Sequence, residues 1–186
     1  MAVNQAQASV PKVPGAELRE WVQCILSAIV ICVLVFVFAG RLVDVVGSSM
    51  YPTLENGEMV VISKLFLHPK YGDIVVLQQK SYDDECIIKR VIATEGQTVD
   101  IDFDKGIVYV DGKALDEPYT AEPTYQREDF DGEVVVPEGC VFVMGDNRNH
   151  STDSRRSTIG FVDTRCIVGK AYFVVFPLKN IGSVYR

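Results

Sequence analysis

The stretch Cys86-Ile-Ile-Lys-Arg-Val-Ile-Ala-Thr94 places two adjacent cations, Lys89 and Arg90, inside an apolar and largely β-branched run. Runs of this length and composition predict a β-strand. If Lys89 points into the apolar surroundings, they disfavour its ammonium form and lower its pKa. A lysine with such a lowered pKa can act as a general base. If Arg90 points inward instead, Lys89 is an ordinary strand residue that faces water.

Similar runs on both sides of this stretch, separated by Gly, Pro, Asn and Asp, extend the strand pattern along most of the chain. They cover residues 43–46, 58–63, 73–79, 98–103, 107–110, 133–136, 140–144, 166–168 and 170–176. Asp111-Gly112 fits a hairpin turn after the run 107–110, because both residues accept a positive φ. Residues 114–132 show neither helical nor strand periodicity and predict a long surface loop. The fold class is therefore mainly β.

The amino-terminal part of the chain has a different pattern. Residues 21–40 carry no charged side chain, and about twenty residues at helical rise span the roughly 30 Å of a bilayer. Trp21 fits an interfacial anchor, and Arg19 and Arg41 bracket the run. A cleavable secretory signal would be shorter and would end in a small-x-small site, and a fully apolar core helix is unusual in so small a protein. We therefore expect a transmembrane helix over residues 20–40.

The segments on either side of this helix complete the expected domain organisation. Residues 1–19 predict a flexible tail, because their composition cannot bury enough apolar surface to fold alone. Lys12 and Arg19 precede the apolar run and Arg41 alone follows it directly, a bias that favours a cytoplasmic amino terminus. Residues 41–186 would then form a β domain on the extracytoplasmic side of a single-pass cell-membrane protein.

Composition excludes several functions. The 25 acidic and 18 basic side chains give a net charge of −7, which argues against nucleic-acid binding. The chain has no C-x-x-C pair and no H-x-x-x-H pattern, so the sequence predicts no metal site and no cofactor. Because Cys86, Cys140 and Cys166 are three, they cannot all pair with one another; we expect three unpaired, mostly buried thiols, although one disulfide and a free thiol would also fit.

Two further stretches could contribute chemistry beside Lys89. Residues 47–54, Gly-Ser-Ser-Met-Tyr-Pro-Thr-Leu, supply hydroxyls soon after the apolar run, but a hydroxyl becomes a nucleophile only beside a base. Residues 145–155, Gly-Asp-Asn-Arg-Asn-His-Ser-Thr-Asp-Ser-Arg, form a polar loop that is either a solvated turn or a clamp for the lysine. A lysine with its reference pKa of about 10.4 is neutral less than about once in a thousand at pH 7, so a basic Lys89 needs a much lower pKa.

Taken in this order, the stretches 47–54, 71–76, 89–96 and 145–155 resemble the boxes of the type I signal peptidase family. The resemblance covers residues 41–177 and implies an antiparallel β-barrel or sandwich module that follows a membrane anchor. It implies that Ser49 is the nucleophile and Lys89 the general base. The supporting and substrate-binding residues that it implies are Ser151, which orients the lysine, the pairs Asp146–Arg90 and Asp153–Arg155, and Met50 and Pro52, which shape the groove.

The resemblance also implies an activity, with two departures in the residues. Such an enzyme is a membrane-bound serine endopeptidase that removes signal peptides from exported preproteins through an acyl-enzyme intermediate, without a metal or cofactor. Its substrates carry small residues one and three positions before the cut. Gly47 stands where some members have a serine that helps hold the oxyanion, and Asn149 and His150 differ from the Asp-Asn of some members.

Two other functions fit parts of the pattern. A self-cleaving regulator can use a related serine–lysine dyad, but such proteins carry a DNA-binding or soluble amino-terminal part. A catalytically silent β scaffold at the membrane would bind partners without an active serine. A serine-directed acylating probe would label Ser49 only in an enzyme.

Overall fold

The computed structural model describes residues 16–65, 68–78 and 86–185, without the side chains of residues 16 and 35–39. The chain divides into two compact units, Met1–Phe38 and Ala39–Arg186. The predicted flexible tail covers residues 1–19, and its residues 1–15 lie outside the described part of the chain. Residues 16–19 are helical, and that end of the tail is a correction to the sequence-based prediction.

The helix α1, Ala16–Ala39, belongs to the first unit up to Phe38. Its side chains from residue 17 to residue 34 are all exposed, and they include large apolar ones such as Trp21, Ile25 and Leu34. In the part of the chain that the structure describes, no helix is both long enough and apolar enough to cross a bilayer, so the transmembrane helix predicted over residues 20–40 is not confirmed.

The second unit consists of antiparallel strands, which confirms the mainly β prediction. The strands are β1 Arg41–Asp44, β2 Met59–Ser63, β3 Ile74–Gln78, β4 Cys86–Thr94, β5 Thr98–Asp102, β6 Ile107–Val110, β7 Lys113–Ala114, β8 Val134–Val135, β9 Cys140–Met144, β10 Val162–Asp163, β11 Ile167–Phe176 and β12 Gly182–Ser183. One sheet has the order β1-β2-β11-β3-β4-β9-β10, with β12 paired to β11, and the other has the order β7-β6-β5-β8. The short 3-10 helices are Arg148–His150, Thr164–Cys166 and Leu178–Asn180.

Most strand predictions agree with these elements. β4 and β9 have the predicted bounds, and Asp111-Gly112 joins β6 to β7 with φ of 51° and 71°, as the hairpin prediction requires. β1 lies two residues earlier than predicted, because its register against β2 runs from Arg41 to Asp44. The two predicted segments near the carboxyl terminus are one strand, β11, whose register shifts at Gly169.

The strand β4 is central in the larger sheet, between β3 and β9. Apolar clusters cover both of its faces: one contains Ile88, another contains Val91, and a third contains Ile92. The six residues 88–93 are consequently all buried. Lys89 and Arg90 are only 3% and 4% exposed, so both cations point into the protein rather than one into water.

Candidate active site

Ser49 and Lys89 are in direct contact. Ser49 lies after β1 in the turn formed by residues 47–54, which we call the nucleophile turn after the role predicted for Ser49. Ser49 is half-buried, whereas Lys89 extends from the middle of β4. The Lys89 amine is 2.7 Å from Ser49 Oγ and donates a hydrogen bond to the Ile88 carbonyl oxygen at 3.0 Å. The folded chain therefore brings the predicted nucleophile and the predicted base within hydrogen-bond distance of each other.

The environment of the Lys89 amine lowers its basicity. Burial disfavours the ammonium and lowers the Lys89 pKa from 10.5 to about 8, although the carboxylates of Asp153 and Asp146 oppose the shift and Arg155 adds to it. At pH 7 about a tenth of the molecules would then carry a neutral amine, instead of less than one in a thousand. The amine can therefore accept a proton near neutral pH.

Asp146 and Arg90 form a buried ion pair on one side of the dyad. Arg90 Nε and Nη2 donate to the two Asp146 carboxylate oxygens at 2.7 and 2.6 Å, in the two-pronged geometry typical of strong arginine pairs. The Thr53 hydroxyl donates to the same carboxylate at 2.5 Å, and Arg90 Nη1 donates to the Gly72 carbonyl at 2.9 Å. This pair connects the 145–155 loop to the nucleophile turn and to β4.

Asp153 and Arg155 form a second buried pair within the 145–155 loop. Arg155 Nε and Nη2 donate to the two carboxylate oxygens, each at 2.9 Å, and both side chains are inaccessible to solvent. The Gly145 N–H also donates to Asp153, at 3.0 Å. Burial opposes ionisation of Asp153, but its hydrogen bonds and the charge of Arg155 outweigh burial and hold the Asp153 pKa below its usual value.

Ser151 lies near the dyad without the predicted hydrogen bond. Its hydroxyl is buried and has no hydrogen-bond partner among the described residues, so the expected contact with the Lys89 amine is absent from this structure. Ser151 packs against Gly145, where a Cβ would clash with the Ser151 side chain and lie 2.5 Å from the Ser49 carbonyl oxygen. Because glycine has no side chain, Gly145 can pack closely against both Ser151 and the Ser49 carbonyl oxygen.

Met50 and Pro52 differ in their surroundings. Met50 is 2% exposed and belongs to the apolar cluster that contains Leu54 and Ile88, so its side chain forms part of the core. Pro52 follows a cis peptide bond and is exposed beside the nucleophile turn.

Sequence reasoning missed Asn147 and the residues that brace the loop from outside. Asn147 contacts the nucleophile turn directly: its N–H donates to the Ser49 carbonyl at 3.0 Å and its Nδ2 to the Ser48 carbonyl at 3.1 Å. Glu117 accepts two hydrogen bonds, at 2.6 and 2.5 Å, from Arg148, which is 1% exposed. Asn147 and Arg148 lie inside the quoted polar loop, but no sequence signal points to Glu117, which the predicted surface loop supplies.

The arrangement defines a class of enzyme. A hydroxyl beside a buried amine of lowered pKa is typical of serine hydrolases in which a lysine acts as the base. Among the described residues, no group of three or more His, Cys, Asp or Glu side chains is placed to hold a metal ion. The free Cys86 is exposed and Cys140 and Cys166 are half-buried, so none of the three thiols is deeply buried.

Comparison with known proteins identifies the family. Residues 18–176 match the family described as signal peptidase, peptidase S26. The chain is 39% identical over 181 residues to a probable signal peptidase I-1 from Synechocystis sp., covering 92% of this chain and 89% of the relative. It is 39% identical over 180 residues to signal peptidase I S from Bacillus subtilis, covering 88% and 92%.

A crystal structure of a signal peptidase I from Enterococcus faecalis matches 56% of this chain and 97% of that chain, with 29% identity and a TM-score of 0.45. On the family match and the two relatives, the chain belongs to the type I signal peptidase family, a family of serine endopeptidases. The family and the enzyme class predicted from the sequence are both confirmed.

Proposed function

We propose that the chain removes signal peptides from exported preproteins at the membrane, with Ser49 as nucleophile and Lys89 as general base. The observation that carries the proposal is the 2.7 Å contact between the Lys89 amine and Ser49 Oγ, made by a lysine that is 3% exposed. Membership of the signal peptidase family supports the substrate class.

In the first chemical step, the neutral Lys89 amine takes the Ser49 hydroxyl proton while Ser49 Oγ bonds to the scissile carbonyl carbon. When the tetrahedral intermediate collapses, the carbon–nitrogen bond breaks and the Lys89 ammonium protonates the departing amine. The signal peptide then remains esterified to Ser49. Water that gives a proton to the same amine attacks the ester carbonyl carbon. The bond from this carbon to Ser49 Oγ then breaks, Oγ takes the proton back from Lys89, and the signal peptide is released.

The supporting residues hold the dyad. The pair Asp146–Arg90 fixes the loop against β4, and the pair Asp153–Arg155 fixes the loop internally. The hydroxyl of Ser151 has spare hydrogen-bonding capacity, and we expect it to bond to the Lys89 amine and orient it when substrate binds. Catalytic hydrogen bonds often tighten only when substrate is bound.

The expected substrates are preproteins with small residues one and three positions before the cut, in a groove at which Pro52 is exposed and which Met50 supports from the core. We propose that α1 anchors the enzyme in a cell membrane, with a cytoplasmic amino terminus and an extracytoplasmic catalytic domain. Its described side chains are exposed and mostly apolar from Trp21 onward, and residues 21–40 carry no charge. An apolar anchor would bring the enzyme to the bilayer that also holds the apolar segment of the substrate.

The test of the dyad is cleavage of a purified preprotein by single variants of the full chain in detergent. We expect Ser49→Ala and Lys89→Ala to abolish cleavage while circular dichroism shows the domain still folded. Ser48→Ala is the matched control, because Ser48 is the adjacent, exposed serine and should keep most of the activity. Retained cleavage by Ser49→Ala would refute the assignment of the nucleophile.

A further inference from the structure

Asn147 holds two consecutive carbonyl groups of the nucleophile turn. Its backbone N–H donates to Ser49 O at 3.0 Å and its side-chain Nδ2 donates to Ser48 O at 3.1 Å. The Tyr51 N–H also donates to Ser48 O, at 3.1 Å. Asn147 is 8% exposed, so these two bonds are largely shielded from water. One residue of the polar loop therefore fixes the peptide unit on each side of Ser49.

The bond to Ser48 O has a consequence for the Ser49 N–H, because both groups belong to one peptide unit. The cis bonds of the described residues lie elsewhere, so this unit is trans. In a planar trans peptide, the C=O and N–H bonds point in opposite directions. Asn147 therefore aims the Ser49 N–H away from the polar loop, and this N–H has no acceptor among the described residues.

We propose that Asn147 is a positioning residue that aims the Ser49 N–H at the oxyanion formed during attack. The inference rests on the proposed function, in which Ser49 Oγ is the nucleophile. An unpaired donor on the attacking residue itself lies where negative charge develops on the substrate oxygen. Gly47 contributes no side-chain hydroxyl to such a site, so the aim of this backbone donor matters more in this chain.

The experiment compares Asn147→Ala with Asn149→Ala in the full chain. Asn149 is a matched control because it lies in the same loop but bonds to Tyr125, Gln126 and Pro123, away from the serines. Loss of one oxyanion donor typically costs about a hundredfold to a thousandfold in kcat. Since Tyr51 still holds Ser48 O, we expect Asn147→Ala to lower kcat by about tenfold to a hundredfold. KM should stay within about twofold.

Two further measurements separate this role from a merely structural one. The pH profile of kcat/KM for Asn147→Ala should keep the wild-type apparent pKa, because the variant leaves the charges around Lys89 unchanged. A substrate-like peptide aldehyde forms a hemiacetal with Ser49 Oγ, which passes its proton to Lys89 and leaves an oxyanion. Asn147→Ala should lower the affinity for the aldehyde by about the same factor as it lowers kcat. The corresponding peptide alcohol should bind the wild type and Asn147→Ala equally.

Unchanged kcat in a folded Asn147→Ala protein would overturn the proposal, as would a parallel loss of aldehyde and alcohol affinity or a shifted pH profile. If Asn147→Ala does not fold, Asn147→Leu keeps a similar side-chain volume and the backbone bond, adds no charge and removes the Nδ2 donor, and it must show the same split between kcat and KM. Cleavage by Ser49→Ala would instead refute the proposed function, so the two failures are distinguishable.

Discussion

Replacement of Lys89 by methionine should stabilise the protein at neutral pH while it abolishes activity. The pKa of Lys89 is lowered from 10.5 to about 8 because the amine is buried. Since each pH unit of a pKa difference is worth about 1.4 kcal/mol, the charged amine costs the folded state about 3 kcal/mol. Methionine loses the bonds to Ser49 and Ile88, each worth about 1 kcal/mol. We therefore expect a net gain of about 1–2 kcal/mol in the free energy of unfolding at pH 7.

The gain should depend on pH in a defined direction. Below pH 8 the lysine is protonated in both the folded and the unfolded state, so the whole cost of the buried charge is present. Between pH 8 and 10.5 the unfolded state binds more protons than the folded state, and the stability of the wild type therefore rises with pH. The advantage of Lys89→Met should disappear near pH 9, and the wild type should be the more stable protein at pH 10.

The assay is urea unfolding of the full chain, followed by far-UV circular dichroism at pH 7 and pH 10. Lys113→Met is the matched control, because Lys113 is exposed in β7 and its replacement should change stability little at either pH. The reasoning is refuted if Lys89→Met is no more stable than the wild type at pH 7 and the difference between them is the same at pH 10.

Three other predictions follow from the same contacts. The value of kcat/KM should rise up to about pH 8 and then level off, as Lys89 loses its proton; a flat profile from pH 6 to 9 would argue against lysine as the base. Gly145→Ala should abolish cleavage in a folded protein, because the new Cβ would displace Ser49 and Ser151; wild-type kinetics would contradict the close packing. Glu117→Gln should lower the free energy of unfolding by about 3 kcal/mol or more in urea titrations, since it leaves the charge of Arg148 buried and unpaired, and a loss below about 1 kcal/mol would contradict this.

Strands that are long and buried could be predicted from the sequence, because their β-branched runs carry a signal of their own. β4 and β9 have the predicted bounds for this reason. β10 and β12 have two residues each, which is too short for any periodicity, and they exist only because a neighbouring strand supplies hydrogen-bond partners. Tertiary pairing of this kind is not visible in a local pattern.

The same distinction applies to the site. Ser49 and Lys89 could be predicted because each lies in a short motif, and the resemblance of the ordered motifs to the signal peptidase family implied that the two act together. Glu117 could not be found, because the loop that carries it has no periodicity and its partner Arg148 lies 31 residues further along the chain. The burial of both Lys89 and Arg90 was also unpredictable, since alternation along a strand favours one buried face, whereas here both faces of β4 are covered.

The lysine pKa falls because the amine is buried, even though two carboxylates lie close to it. Carboxylates near an amine favour its charged form, and Asp146 and Asp153 both raise the Lys89 pKa. Each carboxylate is held by an arginine, Arg90 or Arg155, in a buried ion pair. Arg155 itself lowers the Lys89 pKa. The site therefore uses both carboxylates as hydrogen-bond acceptors that fix the loop, while burial, the largest effect on the Lys89 pKa, outweighs their charges.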